Sequence, residues 1–395
     1  MRGVVAGRLA MRDSDRMSFG SLAVVCAVAL LGPLLASPRR WHLPVVLGEL
    51  VAGAAVGQTG AGIIEARDST FAFLANIGFA LVMFVAGTHV PVRDPRLRGA
   101  LRIGLARVVG VAALACIPAV LLGNIFFHTG HAALYAVLMA SSSAALILPI
   151  VDGLGLAGDA VLQLLPQVAI ADAVCIVALP LAIDPRHAGR AALGAGLVLA
   201  ATVVLYVLLR WLEVSGLRKR VHRVSERRKF AIEMRVNLVI LFALAALAQA
   251  AHVSILLAGF CFGLAVAAVG EPRRLARQLF ALTEGFLGPL FFVWLGATLD
   301  VRALAEDLRS AVLAVALGLG AVLVHVAMRP TGQPFAYGGL AAAQLGVPVA
   351  AATLGTQLGL LRPAEAAALI LAAVLTIAVA VWSAAAASRA AAPTP

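Results

Sequence analysis

Ala160-Val-Leu-Gln-Leu-Leu-Pro-Gln-Val-Ala-Ile-Ala-Asp-Ala-Val-Cys-Ile-Val-Ala-Leu-Pro-Leu-Ala-Ile183 is an apolar run with one carboxylate, Asp172, near its middle. At about 1.5 Å per residue, a helix of this length crosses roughly 30 Å of hydrocarbon. The helical neighbours of Asp172 at three and four residues are Val168, Ala169, Cys175 and Ile176. All are apolar, so the helix itself offers the acid no partner. A carboxylate at that depth costs several kcal/mol unless it faces water, a cation or a group from another helix. The stretch therefore reads as a membrane span with a functional acid in it.

The rest of the chain follows the same pattern. Only 13% of its residues are charged, against about a quarter in soluble domains, and the mean hydropathy is +1.00. Apolar runs of roughly 17–25 residues alternate with short charged connectors. Thirteen spans are predicted, at about 18–37, 43–64, 70–90, 100–123, 132–150, 160–183, 190–212, 230–250, 254–270, 281–299, 308–328, 335–358 and 364–387. The fold class is an all-α polytopic membrane protein.

Net charge +12 raises nucleic acid as a partner, and the distribution of charge excludes it. The basic residues punctuate apolar runs and have no aromatic stacking pattern beside them. They read instead as topology signals. The connector 215–229, Arg39–Arg40, Arg93/Arg96/Arg98 and Arg273/Arg274/Arg277 fall on one side, while loops 124–131 and 251–253 hold no Lys or Arg. This predicts a cytoplasmic C-terminus and an external N-terminus in the cell membrane. Arg2, Arg8, Arg12 and Arg16 oppose that assignment; no cleavage site follows them, and 1–17 is read as a tail. Cys26, Cys116, Cys175 and Cys261 lie within apolar runs without metal-ligand spacing and are expected as small buried hydrophobes.

An internal symmetry organises the spans. Ala52-Gly53-x-x-x-Gly57 in span 2 matches Ala258-Gly259-x-x-x-Gly263 in span 9. Gly87 with Val92-Arg93 after span 3 matches Gly296 with Val301-Arg302 after span 10. Each pair is seven spans apart, so the halves are inverted, as in secondary transporters. Small-xxx-small packing of membrane helices also generates such motifs, but two matches in the same order favour the repeat. The expected layout is a tail (1–17), a first helix with the first repeat and a linker helix (18–212), a basic cytoplasmic loop (213–229), a linker helix with the second repeat (230–388) and a C-terminal tail (389–395).

Spans 5 and 12, again seven apart, carry helix-weakening sequences: Ser141-Ser142-Ser143 before Pro149, and Gln344-Leu345-Gly346-Val347-Pro348. Discontinuous helices put free carbonyls and amides at mid-membrane depth, where a dehydrated cation can be held. Serines that bond their own helix carbonyls are the plainer alternative; beside Asp172 and a symmetry mate, the functional reading is favoured. One carboxylate that holds either a proton or a cation is sufficient for exchange. Glu49, Glu284, Glu233, Arg235, His89 and His325 are read as secondary, and Arg102 and Arg107 as snorkelling or pairing at the end of span 4.

These residues resemble the monovalent cation:proton antiporter-2 family, which includes Kef-type potassium-efflux and sodium/proton exchangers. The resembling stretches are Leu43-Pro44-Val45-Val46-Leu47-Gly48-Glu49-Leu50-Val51-Ala52-Gly53, Ser141–Ser143, Asp172, Leu256-Leu257-Ala258-Gly259-Phe260 and Phe291-Phe292-Val293-Trp294-Leu295-Gly296. The resemblance implies a dimerisation bundle beside a six-helix core with crossing broken helices. It also implies elevator-like movement, a homodimer, and Asp172 as the shared site for protons and Na⁺ or K⁺, with no other metal and no cofactor. Three departures stand out. Ala171 replaces the usual polar residue before the Asp, which points to electroneutral one-for-one exchange. The interior of span 10 lacks a basic residue between Gly285 and Leu299. Val347 replaces an acidic residue common in Kef-type members. No cytoplasmic nucleotide-binding domain is expected. The competing readings are a sodium-coupled organic-anion symporter on the same repeat, and a membrane-embedded enzyme; Gly158-Asp159 lacks the context of an intramembrane aspartyl protease.

Overall fold

A computed structural model describes residues 17–37, 45–66, 68–88, 97–217, 220, 225, 228, 230–251, 253–270, 273–299 and 301–391. Among these, every regular element is helical. In chain order they are α1 (Phe19–Ala29), α2 (Leu31–Ala36), α3 (Val45–Val56), α4 (Ser69–Thr88), α5 (Leu97–Val120, continued by π-helical Leu121–Phe126), α6 (Ala132–Ala140), α7 (Ala144–Gly153), α8 (Asp159–Ile183) and α9 (Ala188–Val214). There follow α10 (Ile232–Ala250), α11 (Ile255–Val269), α12 (Arg273–Leu282, then π-helical Thr283–Leu287), α13 (Gly288–Thr298), α14 (Val301–Glu306), α15 (Leu308–Val326), α16 (Phe335–Ala341), α17 (Gly346–Gln357) and α18 (Pro363–Ala391).

Ten helical stretches among the described residues have the length and composition to cross a membrane; α3 and α11 are apolar but shorter. Large apolar side chains such as Phe19, Leu193 and Val204 are exposed, as expected of helix faces in contact with lipid. The helices differ in how much they bury: 83% of the most apolar window within Phe335–Gln357 is covered by protein, against 17% in Pro185–Val214. Cys26 and Cys116 lie on exposed surfaces, unlike the expectation for them, while Cys175 and Cys261 are buried. Arg2, Arg8, Arg12, Arg16, Arg39, Arg40, Leu43, Pro44, His89, Val92, Arg93, Arg96 and most of 215–229 lie outside the described residues.

The chain divides into two compact units. The first draws on Met1–Val82 and Phe280–Arg302. Within it, α3 packs on α13 through the small residues singled out in the sequence. A Cβ on Gly53 would strike the Val293 carbonyl, one on Gly57 would sit 2.5 Å from the Ala297 Cα, and one on Gly296 would strike the Leu50 carbonyl. Backbones this close exclude any larger side chain. Phe79 stacks on Phe291 at 4.6 Å between ring centroids, and the Trp294 indole donates to the Ala66 carbonyl at 2.9 Å.

The second unit draws on Met83–Leu279 and Ala303–Pro395. In it a Cβ on Gly263 of α11 would sit 2.8 Å from the Gly87 Cα of α4, and one on Gly87 would sit 2.9 Å from the Gly263 Cα. The glycine motif of span 2 therefore packs on span 10, and its counterpart in span 9 packs on span 3. The two motif pairs thus exchange partners.

Two spans of the second unit are interrupted. The 132–150 segment comes as α6 and α7 with Ser141–Ser143 unwound between them, and the 335–358 segment comes as α16 and α17 separated by residues 342–345. Ser141 is extended, with φ −75° and ψ 152°. Pro348 falls in the first turn of α17, where a missing N–H removes no intrahelical bond. Proline here opens the second half-helix without kinking a continuous one. Helix α8 packs against all four halves: α6, α7, α16 and α17.

Candidate functional site

Helix α8 carries Asp172 into the middle of this arrangement. The carboxyl group is buried, and its Oδ2 accepts a hydrogen bond from the Ala144 amide at 2.9 Å. Ala144 begins α7. The first amides of a helix have no intrahelical acceptor and carry the positive end of its dipole, so a carboxylate fits there. Asp172 makes no ion pair among the described residues. It is therefore neither stranded in lipid nor neutralised by a fixed cation.

The two interruptions are tied to each other. Gln344 Nε2, from the second break, donates to the Leu138 carbonyl at 2.6 Å and lies 3.4 Å from the Ser141 carbonyl. The Ser142 hydroxyl, from the first, donates to the Ala341 carbonyl at 2.6 Å. Both carbonyls belong to the C-terminal ends of half-helices, where acceptors lack intrahelical donors. The Ser141 hydroxyl donates to Leu138, and the Gln344 amide donates to the Thr376 hydroxyl on α18. In this way Asp172, Ser141, Ser142 and Gln344 are brought into one buried cluster in which each break satisfies the other's open ends. Ser143, Gly346, Val347 and Pro348 are buried alongside, and a Cβ on Gly346 would be 3.4 Å from Met83 Sδ and Leu256 Cδ1. Chemically this is an acid, a helix N-terminus and several backbone carbonyls in a water-poor setting. Such a set can hold a proton or a small dehydrated cation.

The family model for the transmembrane sodium/hydrogen exchanger matches residues 26–388. The chain belongs to the sodium/hydrogen exchanger family. Among curated members it is similar to YjbQ of Bacillus subtilis (strain 168), whose name classes it with Na⁺/H⁺ antiporters, at 27% identity over 91% of this chain and 61% of that one. It is also similar to the glutathione-regulated potassium-efflux system protein KefC of Escherichia coli (strain K12), at 28% identity over 78% of this chain and 48% of KefC. The chain thus spans about half to three fifths of the length of these relatives. Among solved structures, the sodium proton antiporter MjNhaP1 from Methanocaldococcus jannaschii at pH 8 superposes with a TM-score of 0.60 at 15% identity, covering 93% of this chain and 96% of that one. The electron-microscopy map of the same antiporter gives 0.62 at 16% identity, covering 95% and 97%.

For an exchanger-family chain, several polar groups outside the expected set are notable. His325 on α15 is buried, with its Nε2 3.4 Å from Ser142 Oγ. Glu365, in the first turn of α18, is buried and accepts from the Tyr135 hydroxyl at 2.6 Å and from His131 Nδ1 at 2.8 Å. Of the two readings for Arg107, snorkelling or pairing, the structure shows the second: it is 1% exposed and donates to Gln163 Oε1 at 2.8 Å and to the Thr331 hydroxyl at 2.9 Å. Gln333 Nε2 donates to Gln167 Oε1 at 3.0 Å. The spacing of Gln163 and Gln167, one helical turn apart, is the sequence signal for this last cluster. Glu49 is buried in α3 of the first unit, and Glu233 lies in the first turn of α10.

Proposed function

We propose that the chain exchanges a monovalent cation, Na⁺ or K⁺, for protons across the cell membrane by alternating access, with Asp172 as the shared site. The observation that carries the reading is the buried Asp172 carboxyl at the N-terminus of α7, beside two interrupted helices whose open ends meet. A proton and a cation compete for one carboxyl, and the carbonyls of the two breaks replace the water that the cation sheds. The oxygens of Ser141–Ser143 and the first turn of α17, with Gly346, Val347 and Pro348, border the site. No bond is made or broken, so the reading assigns no catalytic residue and no cofactor.

Exchanged packing of the glycine motifs supports an inverted repeat, with the halves in 18–212 and 230–388. The family relationship supports a homodimer as the working unit, and the basic connectors support a cytoplasmic C-terminus and an external N-terminus. The cavity beside the crossing, lined by Leu138, Met139, Gln344 and Pro348 among others, has a volume of only about 10 Å³, about what a single water needs. Clefts for drug-sized ligands begin at roughly 300 Å³, so the cavity does not favour an organic anion as cargo.

The test is collapse of an imposed pH gradient in everted vesicles on addition of Na⁺, K⁺ or Li⁺, followed with a pH-sensitive dye. Wild type is expected to respond, and Asp172→Asn to fall to background while still folding, because an amide oxygen can still accept from Ala144. With Asp172 as the single titrating carrier, an imposed voltage should not drive turnover. Undiminished exchange in Asp172→Asn would remove the site from this residue.

A further inference from the structure

Five residues before Asp172 on α8, Gln167 meets Gln333, which stands just ahead of α16. Both side chains are buried, and Gln333 Nε2 donates to Gln167 Oε1 at 3.0 Å. The same Nε2 lies 3.4 Å from the Tyr337 carbonyl. A carbonyl only accepts, so this contact fixes which end of the Gln333 amide is nitrogen. The other two amide atoms, Gln167 Nε2 and Gln333 Oε1, have no hydrogen-bond partner among the described residues. They are a donor and an acceptor, the atoms that a second bond across the same pair would use. Buried polar atoms are rarely left in this way. The pair is a joint held by one bond where two can form.

The joint closes a circuit that runs through the cation site. From Gln167, α8 leads over about 7.5 Å to Asp172, whose carboxyl accepts from the Ala144 amide. Two residues back, the Ser142 hydroxyl donates to the Ala341 carbonyl. Ala341 ends α16, a helix of seven residues, and Gln333 precedes its start. The bond from Gln333 to Gln167 completes the circuit. Its length therefore limits how far the Asp172 carboxyl can stand from the Ala341 carbonyl.

The backbone around the joint is braced. A Cβ on Gly104 of α5 would sit 2.9 Å from the Gln167 backbone nitrogen, so α5 holds this turn of α8 in place. One turn along α5, Arg107 donates to Gln163 on α8 and to both the hydroxyl and the carbonyl of Thr331. That brace survives substitution of either glutamine of the pair. What such a substitution removes is the last link before α16.

We propose that Gln167 and Gln333 are positioning residues that fix the spacing between Asp172 and the carbonyls of the crossing, and so set which monovalent cation the site prefers. The proposal rests on the exchange reading above and adds to it the residues that govern ion selectivity. Oxygens held at one spacing replace the water of one ion size better than that of others, whereas a slack circuit lets them follow any of the ions.

The test is the half-saturating concentration of Li⁺, Na⁺ and K⁺ at one pH in proteoliposomes, for wild type, Gln167→Leu, Gln333→Leu and the variant carrying both changes. Wild type is expected to prefer one ion. In each single variant the half-saturating concentration of that ion should rise about three- to eighteenfold, the worth of one hydrogen bond between membrane helices, and the values for the three ions should converge. The double variant separates position from stability. Replacing both members of a buried polar pair by apolar groups can be neutral for folding, but apolar contact is non-directional and does not restore the spacing. The double variant should therefore melt no lower than the single variants and discriminate no better than they do. Its recovery of wild-type discrimination, or its failure to fold, overturns the proposal. Single variants that fold and keep the wild-type ratios overturn it as well, and so does a wild type that holds all three ions equally. If a single variant does not fold, the double variant decides alone. A wild type that exchanges none of the ions overturns the exchange reading instead.

Discussion

Replacing Gln344 by leucine separates what the link between the two breaks contributes to stability from what it contributes to transport. The side chains are similar in size, so packing is largely kept. The variant loses the Nε2 hydrogen bond to the Leu138 carbonyl at 2.6 Å. That carbonyl does not become an orphan: it also accepts from the Ser141 hydroxyl at 2.8 Å and from the Ser141 amide at 3.0 Å. The penalty for a buried unsatisfied acceptor therefore does not apply at Leu138, and the 3.4 Å contact of Nε2 with the Ser141 carbonyl is long enough to add little. What remains is the net worth of one neutral hydrogen bond between membrane helices, about 0.6 to 1.7 kcal/mol. If all of it bears on the step that moves the site between the two sides, turnover falls about three- to eighteen-fold. The assay pairs cation-driven collapse of a pH gradient in vesicles with the thermal melting of the detergent-solubilised protein. Gln344→Leu is expected to fold, to melt slightly lower, and to exchange within that range. A loss of a hundredfold or more at an unchanged melting temperature would refute the reasoning, because Gln344 would then be touching the ion itself. Unchanged melting with unchanged exchange would refute it from the other side.

Further outcomes follow from the packing and the polar ends. Gly263→Val should lower the melting temperature and folded yield, since overpacking of this kind costs about 1–3 kcal/mol, whereas Gly196→Ala, with open space around it on α9, should leave melting unchanged or raise it slightly. Glu365→Ala leaves the buried Tyr135 hydroxyl without its acceptor and is expected to cost about 1–3 kcal/mol in a melting assay; Glu365→Gln keeps an oxygen at that position and should cost less. Asp307 caps α15 by accepting from the Arg309 and Ser310 amides, and the Ser310 hydroxyl, ahead of those amides, holds its carboxyl below the usual carboxylate range. A depressed folded value stabilises at pH above the unfolded value, near 3.9, and the benefit is lost as pH falls through the folded value. The melting difference between wild type and Asp307→Asn should therefore be constant from pH 9 to pH 5.5 and shrink below about pH 4.

What the sequence discloses depends on whether a residue's partners lie on its own helix. Asp172 is legible because its surroundings at three and four residues are apolar, so burial and the need for an outside partner follow from the helix alone. The breaks are legible as well, since three serines in a row and Gln-x-Gly-x-Pro weaken a helix wherever they occur. The lengths of α3 and α11 are less so: the apolar run continues past Val56 through Gly57 and Gly60, where the backbone has already turned. The partners at the crossing are not legible at all. Ser142 meets a carbonyl 199 residues away, and Gln344 one 206 residues away, so no local pattern records which hydroxyl faces which acceptor. His325 looks like an ordinary residue near a helix end, and Glu365 like a common acid in a first turn; each gains its role from a group on another helix. For Arg107 the sequence leaves snorkelling and pairing both open, and only the structure supplies the partners, Gln163 and Thr331. A polar residue within a span is thus revealed by sequence as needing a partner, while the partner's identity is fixed by the tertiary crossing. The same asymmetry explains why Asp172 is accessible to prediction and the partners of His325 are accessible only to geometry.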